Sequence, residues 1–283
     1  MKLSQARIAI ALAVVVAGSS CCAVINRIRA KNELNEAART YREGRFVEAE
    51  QHSTKALELD PNNKTAPLFI ARTIHAQYKA GVQTPENIAK AREAIEAYRK
   101  ILETDPQNEE AYKAIAFLYE RIKEDGKLRE WIIARANDGK AEPDKRAEAY
   151  IVLASKDWNC SFQITDLPSN KTTTVVNAKA TVSYKKPKEQ KDFDTAQMCV
   201  KRGLEEIENA IKLDPNSESA WSYKTNLLLE AKKLAEMEGN TERAAELDKQ
   251  REEAQKRTNQ LSEANKKKQA EEDAKKAASP PTS

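Results

Sequence analysis

Glycine is scarce in this chain, with seven among 283 residues, and none is spaced to cradle a phosphate or present a nucleophile. No Walker loop, no G-x-G-x-x-G and no G-x-S-x-G occurs, which removes the motif-based routes to nucleotide binding and serine hydrolysis. Histidine is scarcer still: His52 and His75 are the only two, and neither stands at a zinc-ligand spacing from another His or Cys. No metal, no cofactor and no small-molecule substrate is therefore expected, and the carboxylates are spaced as helix-surface ion pairs, so the chain reads as non-catalytic. Aromatic residues make up 6% and mean hydropathy is −0.75, which argues against one large core and for an elongated helical architecture. Charge of one sign is lacking too. The 48 bases and 44 acids are interspersed, a solvated mixed surface with no nucleic-acid footprint.

One long apolar run is present. From Ile8 to Ile25 ("IAIALAVVVAGSSCCAVI") 18 residues carry no charge, between Lys2 and Arg7 on one side and Arg27, Arg29 and Lys31 on the other. Spanning hydrocarbon takes about 20 apolar residues, so the run is just long enough. Three readings stay open: an uncleaved signal anchor, a signal peptide cleaved after Ser19, and a lipoprotein signal at Cys21 or Cys22. The last has Gly18 or Ser19 where a large apolar residue belongs.

Three segments repeat: Lys55–Asn63 ("KALELDPNN"), Lys100–Asn108 ("KILETDPQN") and Asn209–Ser217 ("NAIKLDPNS"). Each ends an amphipathic helix at Asp-Pro, since proline lacks an amide hydrogen and disfavours helix in the residue before it; Asn or Ser then caps the next helix. Upstream of Pro61 lie Ala37, Tyr41, Gly44, Phe46, Ala49 and Ala56, small and large residues alternating as a close-packed helical hairpin requires. This pattern resembles the tetratricopeptide repeat (TPR), a unit of about 34 residues with a closing proline. Pro61 and Pro106 are 45 apart, one unit plus an insertion of 11 near Gly81–Pro85. The third unit shows Tyr112, Ile115, Ala116 and Tyr119 without the Asp-Pro close. The fourth keeps Ala210 and Pro215, and the fifth opens with Trp221 but has Thr225 where a small residue is usual.

The expected register pairs helices 31–43 with 46–59, 64–80 with 85–104, 108–124 with 127–137, 143–157 with 192–213, and 217–238 with 240–275. That is an all-α fold, an α-solenoid of about five TPR-like hairpins over 31–260, preceded by a targeting segment over 1–30 and followed by a charged tail over 261–283. The tail reads as a solvated capping helix that frays, with a coiled-coil partner face as the competing reading of Leu247, Ala254 and Leu261 at seven-residue spacing. The resemblance implies an inner groove lined by Tyr41, Arg42, Arg72, His75, Lys113, Phe117 and Arg121. Its bases and aromatics suit an acidic or carboxylate-ended peptide, because guanidinium binds carboxylate bidentately; the competing reading is that they are ordinary exposed residues.

Residues 158–191 fall between the helices of the fourth unit and change period. Val176, Ala178, Ala180, Val182 and Tyr184 alternate with polar residues, and Phe162 and Ile164 begin a similar alternation, so a small β-hairpin is expected, turning at "LPSNK". The stretch "DWNCSFQIT" (157–165) would be the exit from the helix, with Trp158 at the junction. Cys160 and Cys199 would then meet at the base of the hairpin, and a bond closing the span of 39 would stabilise by roughly 3–4 kcal/mol in an oxidising compartment; two unpaired thiols remain the alternative. "NCS" at 159–161 and "NKT" at 63–65 and 170–172 match the glycosylation triplet, a pattern common by chance.

The function these features imply is a membrane-anchored, exported scaffold of bacterial type that contacts a protein or peptide partner. A lipoprotein-type assembly factor for envelope machinery and a cytoplasm-facing adaptor are the alternatives.

Overall fold

The computed structural model describes the backbone of residues 3–176 and 179–278, with side chains over 23–175 and 182–275. Two compact units divide the chain, one up to Leu128 and one from Arg129. In the first, α1 (Leu3–Arg42), α2 (Phe46–Leu59), α3 (Ala66–Gln77), α4 (Pro85–Thr104) and α5 (Glu109–Arg121) follow one another, each packed on the next. A further helix, α6 (Asp125–Asn137), crosses the boundary. The second unit holds α7 (Pro143–Thr165), a 3-10 turn (Pro168–Asn170), an antiparallel pair of β1 (Lys171–Val176) and β2 (Lys179–Tyr184), then α8 (Gln190–Leu213), α9 (Glu218–Met237) and α10 (Thr241–Ala278). The fold class is all-α, consecutive TPR-like hairpins with a two-stranded sheet between two of the helices.

The breaks are locally encoded, as the Asp-Pro pattern requires. Asp60, Asp105 and Asp214 end α2, α4 and α8 with nearly the same backbone, φ −135, −134 and −136°, and each donates its N–H to the carbonyl four residues back. Proline cannot extend the helix, and the next polar residues open its successor: Asn63 Oδ1 accepts from Thr65 and Ala66, Asn108 Oδ1 from Ala111, and Ser217 Oγ from Ala220. The hairpin turns need a left-handed residue. Gly44 (φ +76°) and Gly239 (φ +73°) supply it without a Cβ penalty, and Arg45 and Asn240 then donate to the carbonyls of Thr40 and Ala235. Alanine sets the helix spacing in unit 1. Ala30, Ala56 and Ala66 pack together without exposed surface, so backbones approach closely, while larger residues such as Ile95, Ile115 and Leu118 fill the remaining core, each contributing about 1.5–3 kcal/mol of burial.

Two expectations are corrected. First, α7 does not end at 157: it continues to Thr165, so "DWNCSFQIT" is helical throughout and Phe162 and Ile164 begin no strand. The physical reason is a buried polar stripe. Asp157, Ser161 and Thr165, four residues apart and so on one face, are all buried and bonded to distant side chains, and a helix buried through polar residues shows no apolar period there. Second, the two strands are 171–176 and 179–184, residues 177–178 lie outside the described residues, and "LPSNK" leads into β1 through the 3-10 turn and is not itself the turn between the strands. Asn170, 3% exposed, fastens this entry: its Nδ2 donates to the Ile164 carbonyl at 2.8 Å and its own carbonyl accepts from Lys185. The "NKT" triplets therefore begin with asparagines in structural use, Asn170 here and Asn63 as a helix cap. In unit 1, α1 is one helix from Leu3 to Arg42. The apolar run 8–25 lies mostly outside the residues whose side chains are described; among the described residues no helix is long and apolar enough to cross a membrane.

In unit 2, α10 lies back on α9. Leu247 and Ala254 join Leu228 and Ala235 in one cluster, Leu261 is buried, and Asn265 donates to Glu218 at 2.9 Å, so the seven-residue stripe is covered within the chain. Gly203 on α8 permits its own close approach: a Cβ there would stand 2.6 Å from Leu227 Cδ2 and 3.3 Å from Asp157 Cβ.

Candidate functional site

The helices α1, α3 and α5 of unit 1 present their expected inward residues to one open cavity of about 480 Å³. Tyr41 reaches it from α1, Arg72 and His75 from α3, and Phe117 from α5. Arg72 and Phe117 each stand eleven residues after their unit's proline, which is why they occupy matching places. Of the other expected residues, Arg121 stacks its guanidinium 4.8 Å from the Phe117 ring centroid and so joins the rim, whereas Arg42 and Lys113 are exposed and do not line the cavity. Three residues that complete it escape the pattern. Tyr78 lies just past α3, Tyr98 comes from α4, and Glu110 opens α5. Tyr78 and Tyr98 have no helix-A position to betray them. Glu110 alone left a trace, an acid two residues past the capping Asn108.

The rings meet edge to face, Tyr41 on Phe69 at 5.8 Å and His75 on Tyr98 at 5.9 Å, and His75 lies 5.7 Å from Phe117. Burial holds the His75 imidazole below its ordinary pKa, and burial first, with the Glu110 charge second, raises the Tyr98 phenol, so both are neutral at pH 7. Arg72 is not a free cation. Its Nε and one terminal nitrogen donate to the two oxygens of Glu110, and this pairing raises its pKa further. The expected carboxylate clamp is thus already filled from within. The Tyr78 hydroxyl, by contrast, is buried without a hydrogen-bond partner, on a residue only 8% exposed.

Unit 2 carries a closed ionic joint. Asp157, 2% exposed, accepts from Arg202 at 2.7 Å and from Arg129 at 3.1 Å, and Arg129 also bonds Glu206. Burial, then the Asp157 charge, pushes Glu206 up to about 8, against the opposing pull of Arg129 and Arg202. A carboxyl whose folded pKa lies above its unfolded value of 4.5 stabilises fully below 4.5, and that contribution is lost as pH rises to about 8. The urea midpoint of unit 2 should therefore fall across this window more steeply in the native chain than in Glu206→Gln; parallel pH profiles would refute the assignment. The Cys160 and Cys199 sulfurs lie beside this joint, 2.14 Å apart with Cα atoms at 6.2 Å, joining the interiors of α7 and α8, and Arg202 reaches Cys199 Sγ at 3.6 Å. A cavity of about 560 Å³ among α8, α9 and α10 holds Trp221, but Lys224 there is paired with Glu208 and Arg257 with Asn216. Among the described residues no group of three His, Cys, Asp or Glu could hold a metal ion.

A protein prenyltransferase alpha subunit repeat model matches residues 200–231, the latter half of α8 and most of α9. No curated protein matches the chain. Solved structures of similar shape include MamA from Desulfovibrio magneticus (16% identity, 81% of this chain and 96% of that one, TM-score 0.37). Others are YrrB, a TPR protein with an unusual peptide-binding site (13%, 83% and 90%, 0.36), and the TPR2AB domain of yeast Sti1 in a complex with pHSP90 (17%, 82% and 96%, 0.28). At scores this low the fold assignment rests on the helix pairing and caps described above.

Proposed function

We propose that this chain is a non-catalytic scaffold for protein–protein contact, engaging a partner polypeptide through the aromatic cavity of unit 1 and tethered to a membrane through residues 8–25, with its helical units exported. The observation that carries the contact role is the cavity itself: three successive helix-A faces converge on one open space walled by rings, with Phe117 39% exposed at its edge. Exposed apolar area gathered in a concavity is a recognition surface more than a packing defect. The tether is supported by continuity. Val24, Ile25 and Ile28 are exposed apolar residues on the same helix as the 8–25 run, followed at once by bases. Export is supported by two cysteines placed for a bond that persists only where thiols are oxidised.

A photo-crosslinking residue at 117 should give a discrete protein adduct at least ten-fold stronger than one at Val47, an exposed position on α2 away from the cavity. Equal yields, or none at 117, would sink the contact reading. The intact mass of the membrane fraction tests the tether, where an unprocessed Met1 end is expected; a diacylated Cys21 or Cys22 would replace it with the lipoprotein reading.

A further inference from the structure

We infer that Glu110 sets the ligand chemistry of the unit-1 cavity: by pairing with Arg72 through its Nε and one terminal nitrogen it neutralises that cation, disfavours carboxylates and leaves the site selective for an uncharged aromatic side chain of the partner. This rests on reading the cavity as the contact surface, and adds what that surface accepts.

The charges of the cavity are already paired. Arg72 from α3 and Glu110 from α5 form a two-point pair across the cavity mouth, net charge zero. An incoming carboxylate would have to displace Glu110, a competitor held on the same fold at an effective concentration on the order of millimolar or above. It would then share the cavity with the acid it displaced. Cations fare no better, because Arg121 already stands over the Phe117 ring and the one acid in the wall is occupied by Arg72. What remains unserved is apolar and neutral. Tyr41, His75 and Phe117 offer ring surface, backed by the buried Tyr98. A ring suits the edge-to-face geometry of these walls, and the volume suits one such side chain with its adjoining backbone.

The pair is about two-fifths exposed on each side, so it contributes little to folding and Glu110→Gln should leave the unit intact. The full chain, labelled with ¹³C at histidine and phenylalanine, is titrated by NMR with N-acetylphenylalanine amide, N-acetylphenylalanine as its carboxylate, and N-acetyllysine amide. The phenylalanine amide should shift the His75 and Phe117 signals saturably, with the carboxylate and the lysine amide at least ten-fold weaker. In Glu110→Gln the carboxylate should gain ten-fold or more while the amide changes less than three-fold. A carboxylate that binds the native chain as well as the amide does, a preference unmoved by Glu110→Gln, or no shift with any probe overturns the inference. Crosslinking from position 117 reads the contact role separately, so a persistent adduct with indifferent probes would remove Glu110 from control of the site and leave the scaffold reading standing.

Discussion

Glu230→Ala should destabilise unit 2 by about 3–5 kcal/mol, the cost of breaking a buried ion pair by removing one partner. Glu230 is 1% exposed and Lys233, one turn on in α9, 3%; their ion pair measures 2.5 Å. The other Glu230 oxygen accepts from Ser161 at 2.9 Å and Thr165 at 2.6 Å, both on α7. The Lys233 ammonium also lies 5.2 Å from the Phe162 ring centroid and 5.0 Å from that of Tyr184 on β2. Removing the carboxylate strands an ammonium and two hydroxyls in the interior, whereas Glu230→Leu with Lys233→Met removes both charges and should recover more than half of the loss. Urea unfolding followed by tryptophan fluorescence measures both variants. Faster hydrogen exchange over 171–176 and 182–184 should accompany Glu230→Ala, because Tyr184 ties the hairpin to this lysine. A loss under 1 kcal/mol in the single variant would show that the pair is solvated.

Cys160→Ser with Cys199→Ser should lower the stability of the oxidised chain by about 4 kcal/mol, the chain-entropy value for a closed span of this length. The two helices already pack face to face, so the bond acts mainly by restricting the unfolded chain, and the folded helices should keep their circular dichroism. Peptide mapping after alkylation in denaturant should find residues 160 and 199 blocked in protein taken from its native compartment. Free thiols at both positions there would favour the cytoplasm-facing reading, and a midpoint unchanged by the double substitution would mean that no bond contributes.

How much of this could be read from the chain depends on how far apart the partners stand. Asp60-Pro61, Asp105-Pro106 and Asp214-Pro215 mark the ends of α2, α4 and α8 because each stop and each following cap involves residues a few positions apart. Tyr41, Arg72, His75 and Phe117 were legible as neighbours for the same reason, since equal places in successive hairpins face the same way. The state of Arg72 was not, because Glu110 lies 38 residues on and only the packing of α3 near α5 brings them together. The course of α7 failed on the same ground: Asp157, Ser161 and Thr165 look like a solvated or broken segment until Arg129, Arg202 and Glu230 are placed against them.

By itself, then, the sequence determined the succession of helices and their turns, because proline, asparagine and left-handed glycine act on the backbone within one turn of where they stand. Tertiary structure alone decided which charges are free. Arg129 pairs with residues 28 and 77 positions away and Arg72 with one 38 away, and no local period records such a partner.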